Sequence, residues 1–139
     1  GVVHVPVEGV TYVGGSGAHK IVNGEATEIT VQPQTTPLRV VGSRSHTSPE
    51  MDAFLENLGE HEFVAAGSSL KFCRVAEGSA DLYPRFVPTM EWDTAAGHAV
   101  LVSAGGSVRR ADGGPFNYNK ENLLNPFFIA SGQGIQKDE

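Results

Sequence analysis

The chain has 139 residues, of which 40% are hydrophobic and 19% charged, and its formal charge is -6. That length supports one buried core, and the acidic balance excludes a polymeric nucleic-acid partner, because no basic stripe is available to displace counterions. A single cysteine, Cys73, excludes an internal disulfide and a cysteine-rich zinc site.

The first third reads as an antiparallel meander. Val2–Val5, Val10–Val13 and Ala18–Val22 are short β-rich runs, separated at Pro6–Gly9 and at Gly14–Gly17. Asn23-Gly24 is a tight-turn signal, with Thr27–Val31 as the returning strand. Gly14–Gly17 lacks the Lys and helix of a phosphate loop, so it is read as a turn. Because residue 1 is Gly and strand pattern starts at once, the expectation is a piece of a larger fold cut within a sheet.

Gln32–Pro37 is a polar connector and the expected boundary between a unit at 1–33 and one at 34–139. Beyond it Leu38–Gly42 reads as a buried strand running out into Ser43–His46. Ser48 as N-cap, Pro49 at the first position and Met51, Phe54, Leu55 and Leu58 on one face predict a helix. Glu62–Ala66 is the next strand, Gly67-Ser68 opens a second helix closed by Gly78, and Asp81–Tyr83 is a strand ended by Pro84-Arg85. A third helix follows Asp93, with Ala95, Ala99 and Val102 at helical spacing, Ala96 and Val100 beside them on the packing face, and Gly105-Gly106 as its stop. Ser107-Val108 is a short strand, Arg109–Pro115 a polar loop and Leu123–Ala130 an apolar edge segment. The alternation from Leu38 onward calls for a layered α/β sandwich (α+β overall), a mixed sheet with flanking helices.

In such sheets ligands bind beyond the carboxyl ends of the strands. Ser43–His46, with Arg44 and His46 in it, Ser68, Arg85 and Asp93 all follow a strand or open a helix, and are expected to converge on one crevice. Asp93 has two readings. As an N-cap accepting the Ala95 or Ala96 amide it contributes about 1 kcal/mol; as a carboxylate at a positive helix end it holds a divalent cation beside phosphate. Lys71 in a first turn opposes the helix dipole, which favours an anionic partner. His4, His19, His61 and His98 show no metal-ligand spacing and are read as structural or surface residues.

Four stretches carry a resemblance: Gly67–Cys73, Ala76–Arg85, Glu91–Ala99 with its Trp-Asp-x-Ala-Ala-Gly motif, and Tyr118–Pro126. In order and over nearly the whole chain they resemble the carboxyl-terminal half of the bacterial 3'(2'),5'-bisphosphate nucleotidases, a branch of the inositol monophosphatase (sugar phosphatase) superfamily. The resemblance implies a magnesium-dependent hydrolase that converts 3'-phosphoadenosine 5'-phosphate to AMP and phosphate in sulfur metabolism. It implies Asp93 as the catalytic metal ligand for Mg2+, and His46, Ser68, Lys71, Arg85 and Arg44 as substrate contacts. Lys71 and the Ser43–His46 run favour nucleotide over inositol substrates. An inositol or sugar monophosphatase and a non-catalytic nucleotide-binding module stand as alternatives.

The superfamily's other acidic metal motifs do not occur here. The resemblance therefore implies that the missing N-terminal half, or a second chain, completes the site, that this chain alone is inactive, and that the opening meander is the remnant of a truncated N-terminal sheet. A homodimer is left open. With no signal peptide or membrane-length apolar run, the expected location is the cytoplasm, with peripheral attachment to the inner membrane as the variant.

Overall fold

A computed structural model describes residues 1–45 and 47–133. Two sheets sandwich a pair of helices, and a further helix covers the outer face of the second sheet. The first sheet is an antiparallel meander of β1 (Val2–Val5), β2 (Val10–Gly15), β3 (Gly17–Val22) and β4 (Glu25–Ile29), in that order. Asn23 and Gly24, at φ 51° and 78°, make the tight turn expected of them between β3 and β4. The glycine run is used differently from the expectation. Gly14 and Gly15 belong to β2, and Gly15 pairs with Gly17 across the hairpin. A Cβ on Gly14 would stand 2.6 Å from the Val100 Cα, so the residue is small to let a helix lie against the sheet.

The second sheet contains β5 (Leu38–Gly42), β6 (His61–Ala65), β7 (Leu82–Arg85), β8 (Ser107–Arg110) and β9 (Phe128–Ser131), ordered β6-β5-β7-β9-β8. β5 is parallel to β6 and β7, whereas β9 is antiparallel to β7 and β8, which makes the sheet mixed. Between the sheets lie α2 (Leu70–Ala76) and α3 (Glu91–Ser103); α1 (Pro49–Leu58) lies on the far side. The strand alternation accounts for both contacts. Val41 and Tyr83 face the main core with Phe72, Val100 and Leu101, while Val40 and Leu82 face Met51 of α1. Burying each such side chain stabilises the fold by about 1.5–3 kcal/mol.

Helix α1 forms as its sequence dictates, the Met51 N–H donating to the Ser48 hydroxyl at 3.2 Å and Pro49 opening the first turn. Helix α3 departs from the expectation. It starts at Glu91, and the face that packs is Thr94, Gly97, Val100 and Leu101, whereas Ala95 and Val102 are exposed. Gly97 sets that face, because a Cβ there would stand 2.5 Å from the Phe72 ring.

Two further expectations are corrected. Pro84 does not end its strand but sits in register with Ile129, where β7 has only β9 beside it and needs no second ladder of N–H donors. Leu123–Ala130 is not an edge: its strand, Phe128–Ser131, is inserted between β7 and β8, and Arg109 and Arg110 extend β8 to meet it. No helix among the described residues is long and apolar enough to cross a membrane.

Candidate active site

The parallel strands β5, β6 and β7 release their carboxyl ends on the same side of the sheet, and α2 and α3 begin there. A cavity of about 450 Å3 opens at that place, lined by Ser43, Ser45, Ser68, Lys71, Tyr83, Arg85, Thr89, Asp93 and Thr94. Four of the residues singled out from the sequence, Ser68, Lys71, Arg85 and Asp93, thus share one enclosure. Arg44 does not. It lines an adjoining cavity of about 270 Å3 that shares Ser43, Tyr83 and Arg85 with the first. His46 lies outside the described residues.

Lys71 is the most informative member. It is 2% exposed, yet among the described residues its ammonium meets only the Ser68 carbonyl at 3.5 Å and the Tyr83 ring at 5.3 Å. Burial, with the Arg85 charge adding to it, pushes its pKa down to about 8. Beside it the Arg85 Nε is buried without a hydrogen-bond partner among the described residues. A desolvated ammonium beside a second cation, with neither in a salt bridge among the described residues, is a costly arrangement that a bound anion relieves.

Ser68 is not the helix cap. Ser69 holds that place, and Ser68 adopts a left-handed φ of 51°, a conformation that costs a non-glycine residue about 1–3 kcal/mol and is found where a site requires it. Tyr83 was not singled out from the sequence, although alternation along β7 puts it on the same face as Arg85. Burial pushes its hydroxyl up to about 12, so it stays a neutral donor. Thr89 and Thr94 gave no signal of their own in the sequence.

Asp93 is the third residue of α3, not its N-cap. Its Oδ2 accepts the Met90 N–H at 2.8 Å, reaching backward over the helix start instead of forward to Ala95 or Ala96. The side chain is exposed to the cavity, and Oδ1 has no hydrogen bond among the described residues. The helix start is fixed from below by Glu91, whose carboxylate accepts the Asn119 N–H at 2.9 Å and the Lys120 N–H at 3.1 Å. His98 packs against Phe116 and bonds the Tyr118 hydroxyl through Nδ1 at 2.8 Å, so its role is structural.

Among the described residues Asp93 is the one carboxylate lining the cavity, and they contain no group of three or more His, Cys, Asp or Glu placed to hold a metal. A magnesium ion commonly takes one or two carboxylates and completes its shell with phosphate oxygens and water. The donor set therefore fits one protein ligand of such an ion, with Oδ1 of Asp93 as the donor.

The inositol monophosphatase family matches residues 1–134. The chain belongs to the inositol monophosphatase family. It is 50% identical over 133 residues to the 3'(2'),5'-bisphosphate nucleotidase CysQ of Escherichia coli K12, an alignment covering 94% of this chain and 54% of that protein. CysQ from Bacteroides thetaiotaomicron superposes with a TM-score of 0.85 at 41% identity, over 96% of this chain and 57% of that one. Staphylococcal IMPase-II shares the fold, at TM-score 0.76 and 20% identity over 96% of this chain and 52% of its own. The chain spans about half the length of the curated relatives it matches. As in the sequence-based expectation, its architecture is the mixed α/β, layered one of the inositol monophosphatase family.

Proposed function

We propose that this chain supplies the substrate-binding part and one metal ligand of a magnesium-dependent 3'(2'),5'-bisphosphate nucleotidase, which hydrolyses 3'-phosphoadenosine 5'-phosphate to AMP and phosphate. The observation that carries the reading is Lys71, buried and, among the described residues, in no salt bridge, beside an Arg85 Nε with no hydrogen-bond partner among them, in the cavity that Asp93 lines. The names and identities of the CysQ relatives support the substrate class.

In this reading Lys71 and Arg85 bind phosphate oxygens, Lys71 as a point charge and Arg85 through its planar fork. The Ser68 hydroxyl and, from outside the described residues, His46 contact the nucleotide. Arg44, in the adjoining cavity, meets it from the other side. That adjoining cavity has Met51, Leu55, Phe63 and Phe86 on one part of its wall, an apolar surface that suits a purine base, beside the polar Ser43, Arg44, Thr47, Ser48 and Asp52. Magnesium, held by Asp93, supplies positive charge that polarises the scissile phosphate when bound. Water oxygen attacks phosphorus, the bond to the ester oxygen breaks, and the proton released by the water is balanced by the proton the departing alkoxide takes up. The remaining acidic ligands and the water-activating group are assigned to the other half of the protein or to a second chain.

The test uses the complete enzyme. Hydrolysis of 3'-phosphoadenosine 5'-phosphate in preference to inositol monophosphate, dependent on magnesium, is expected; preference for inositol phosphate replaces the nucleotidase reading with the sugar-phosphatase one. Tight, metal-independent binding of AMP without turnover replaces it with a binding module. Asp93→Asn keeps an acceptor for the Met90 N–H, so the fold should hold while turnover at limiting magnesium falls steeply. Wild-type turnover in that variant would reduce Asp93 to a helix-start residue.

A further inference from the structure

Asn125 follows the exposed Leu123 and Leu124, yet it is itself 4% exposed. Its segment runs antiparallel to the approach to α3: the Glu91 N–H donates to the Leu123 carbonyl at 3.0 Å, and the Asn125 N–H to the Thr89 carbonyl at 2.8 Å. The side-chain amide then reaches three acceptors, the Met90 carbonyl at 2.9 Å and the hydroxyls of Thr89 and Thr94 at 3.1 Å each. Thr94 is fully engaged, donating to the Glu91 carbonyl at 3.2 Å and accepting from the Tyr118 hydroxyl at 3.1 Å.

Met90 is therefore gripped from both ends. Its carbonyl is held by Asn125, and its N–H is held by the carboxylate of Asp93. The amide orientation is fixed, because the reverse one would set Oδ1 against the Met90 carbonyl oxygen. In this orientation Oδ1 is buried without a partner among the described residues. An apolar side chain could fill the same space without stranding an acceptor, so packing alone does not account for an asparagine here.

We propose that Asn125 is a positioning residue for Asp93. Through Met90 it fixes the first turn of α3, and through Thr89 and Thr94 the cavity wall on either side, so that the free carboxylate oxygen points one way. The inference rests on reading Asp93 as a magnesium ligand.

The experiment compares wild-type complete enzyme with Asn125→Asp, which keeps the shape but removes the donors, and Asn125→Ala. Magnesium alone is titrated calorimetrically, and hydrolysis is followed against magnesium and against nucleotide. Both variants should bind magnesium at least tenfold more weakly, the scale seen when residues that orient a ligand are removed. Their KM for nucleotide at saturating magnesium should stay within twofold of wild type. Tyr118→Phe, which removes a neighbouring bond to Thr94 and nothing at Met90, should keep wild-type magnesium affinity. Should Asn125→Ala not fold, Asn125→Asp carries the comparison. Folded variants with unchanged magnesium affinity overturn the inference and leave the nucleotidase reading standing. A wild-type enzyme that binds no magnesium removes the role of Asp93 and the inference with it.

Discussion

The Lys71 ammonium stands 5.3 Å from the centre of the Tyr83 ring, and that aromatic face and one long bond to the Ser68 carbonyl at 3.5 Å are weak compensation for a residue that is 2% exposed. A cation over a ring recovers about 0.5–2 kcal/mol, less than desolvating an unpaired ammonium costs. The site is held in a state that favours an incoming anion over its own stability. Lys71→Met, of similar length and apolar, should therefore raise stability by about 1 kcal/mol. The same substitution should raise KM for the nucleotide at least tenfold in the complete enzyme. Urea denaturation and steady-state kinetics check the two halves; a less stable protein with an unchanged KM would refute the account.

The same lysine gives a pH dependence with a defined sign. Its pKa falls from 10.5 in the unfolded chain to about 8 when folded. Between those values the unfolded state binds more protons, so this residue makes stability rise with pH, and its opposition to folding is fully present below about pH 8. The stability gap between wild type and Lys71→Met should narrow as pH goes from 7 to 10. Bound phosphate keeps the ammonium charged, so phosphate affinity should fall as pH passes about 8. A gap that stays constant over that range would contradict the burial of Lys71.

Gly14 and Gly97 govern how closely α3 approaches the first sheet and α2. Alanine at either would put its Cβ 2.6 Å from the Val100 Cα or 2.5 Å from the Phe72 ring. Each substitution should cost about 1–3 kcal/mol, with Gly14→Ala the worse because it meets backbone and Gly97→Ala a ring that can tilt. Thermal unfolding of the two variants gives the ranking.

Glu77 ties the first sheet to α2. Its carboxylate accepts from the Tyr12 hydroxyl at 2.9 Å, Lys20 at 2.8 Å and Arg74 at 3.0 Å. Burial alone would raise its pKa, but these donors bring it below the ordinary carboxylate range. The stability it contributes is thus present above the unfolded value and lost as pH falls through the folded one. Glu77→Gln should cost about 2 kcal/mol at pH 7 and much less at strongly acidic pH. An equal loss at both pH values would show that charge is not what the three donors require.

Local grammar carried much of this fold. The Ser48-Pro49 start of α1, the Asn23-Gly24 turn and the stop at Gly105 are set by residues within a few positions of one another, and all three formed as expected. The gathering of Ser68, Lys71, Arg85 and Asp93 was legible because parallel strands must end on one side of a sheet. What was not legible depends on partners distant in sequence. Pro84 tolerates a strand only because β9 arrives on one side, and the packing face of α3 follows from where Phe72 and Gly14 lie. Asn125 matters through three acceptors on a different segment, which no periodicity reveals.

Strand β9 joins β7 to β8, and those two never touch each other as neighbours. β7 has β5 on its other side, but β8 joins the sheet only through Phe128–Ser131, which follows Arg85 by roughly forty residues. Until Phe128–Ser131 slot in, the aromatic residues Phe72 and Tyr83 have an open side where Phe128 will stack. The second sheet is accordingly sealed by a segment far away in the sequence, and a chain halted short of Phe128 would leave an open hydrophobic seam beside Phe72 and Tyr83.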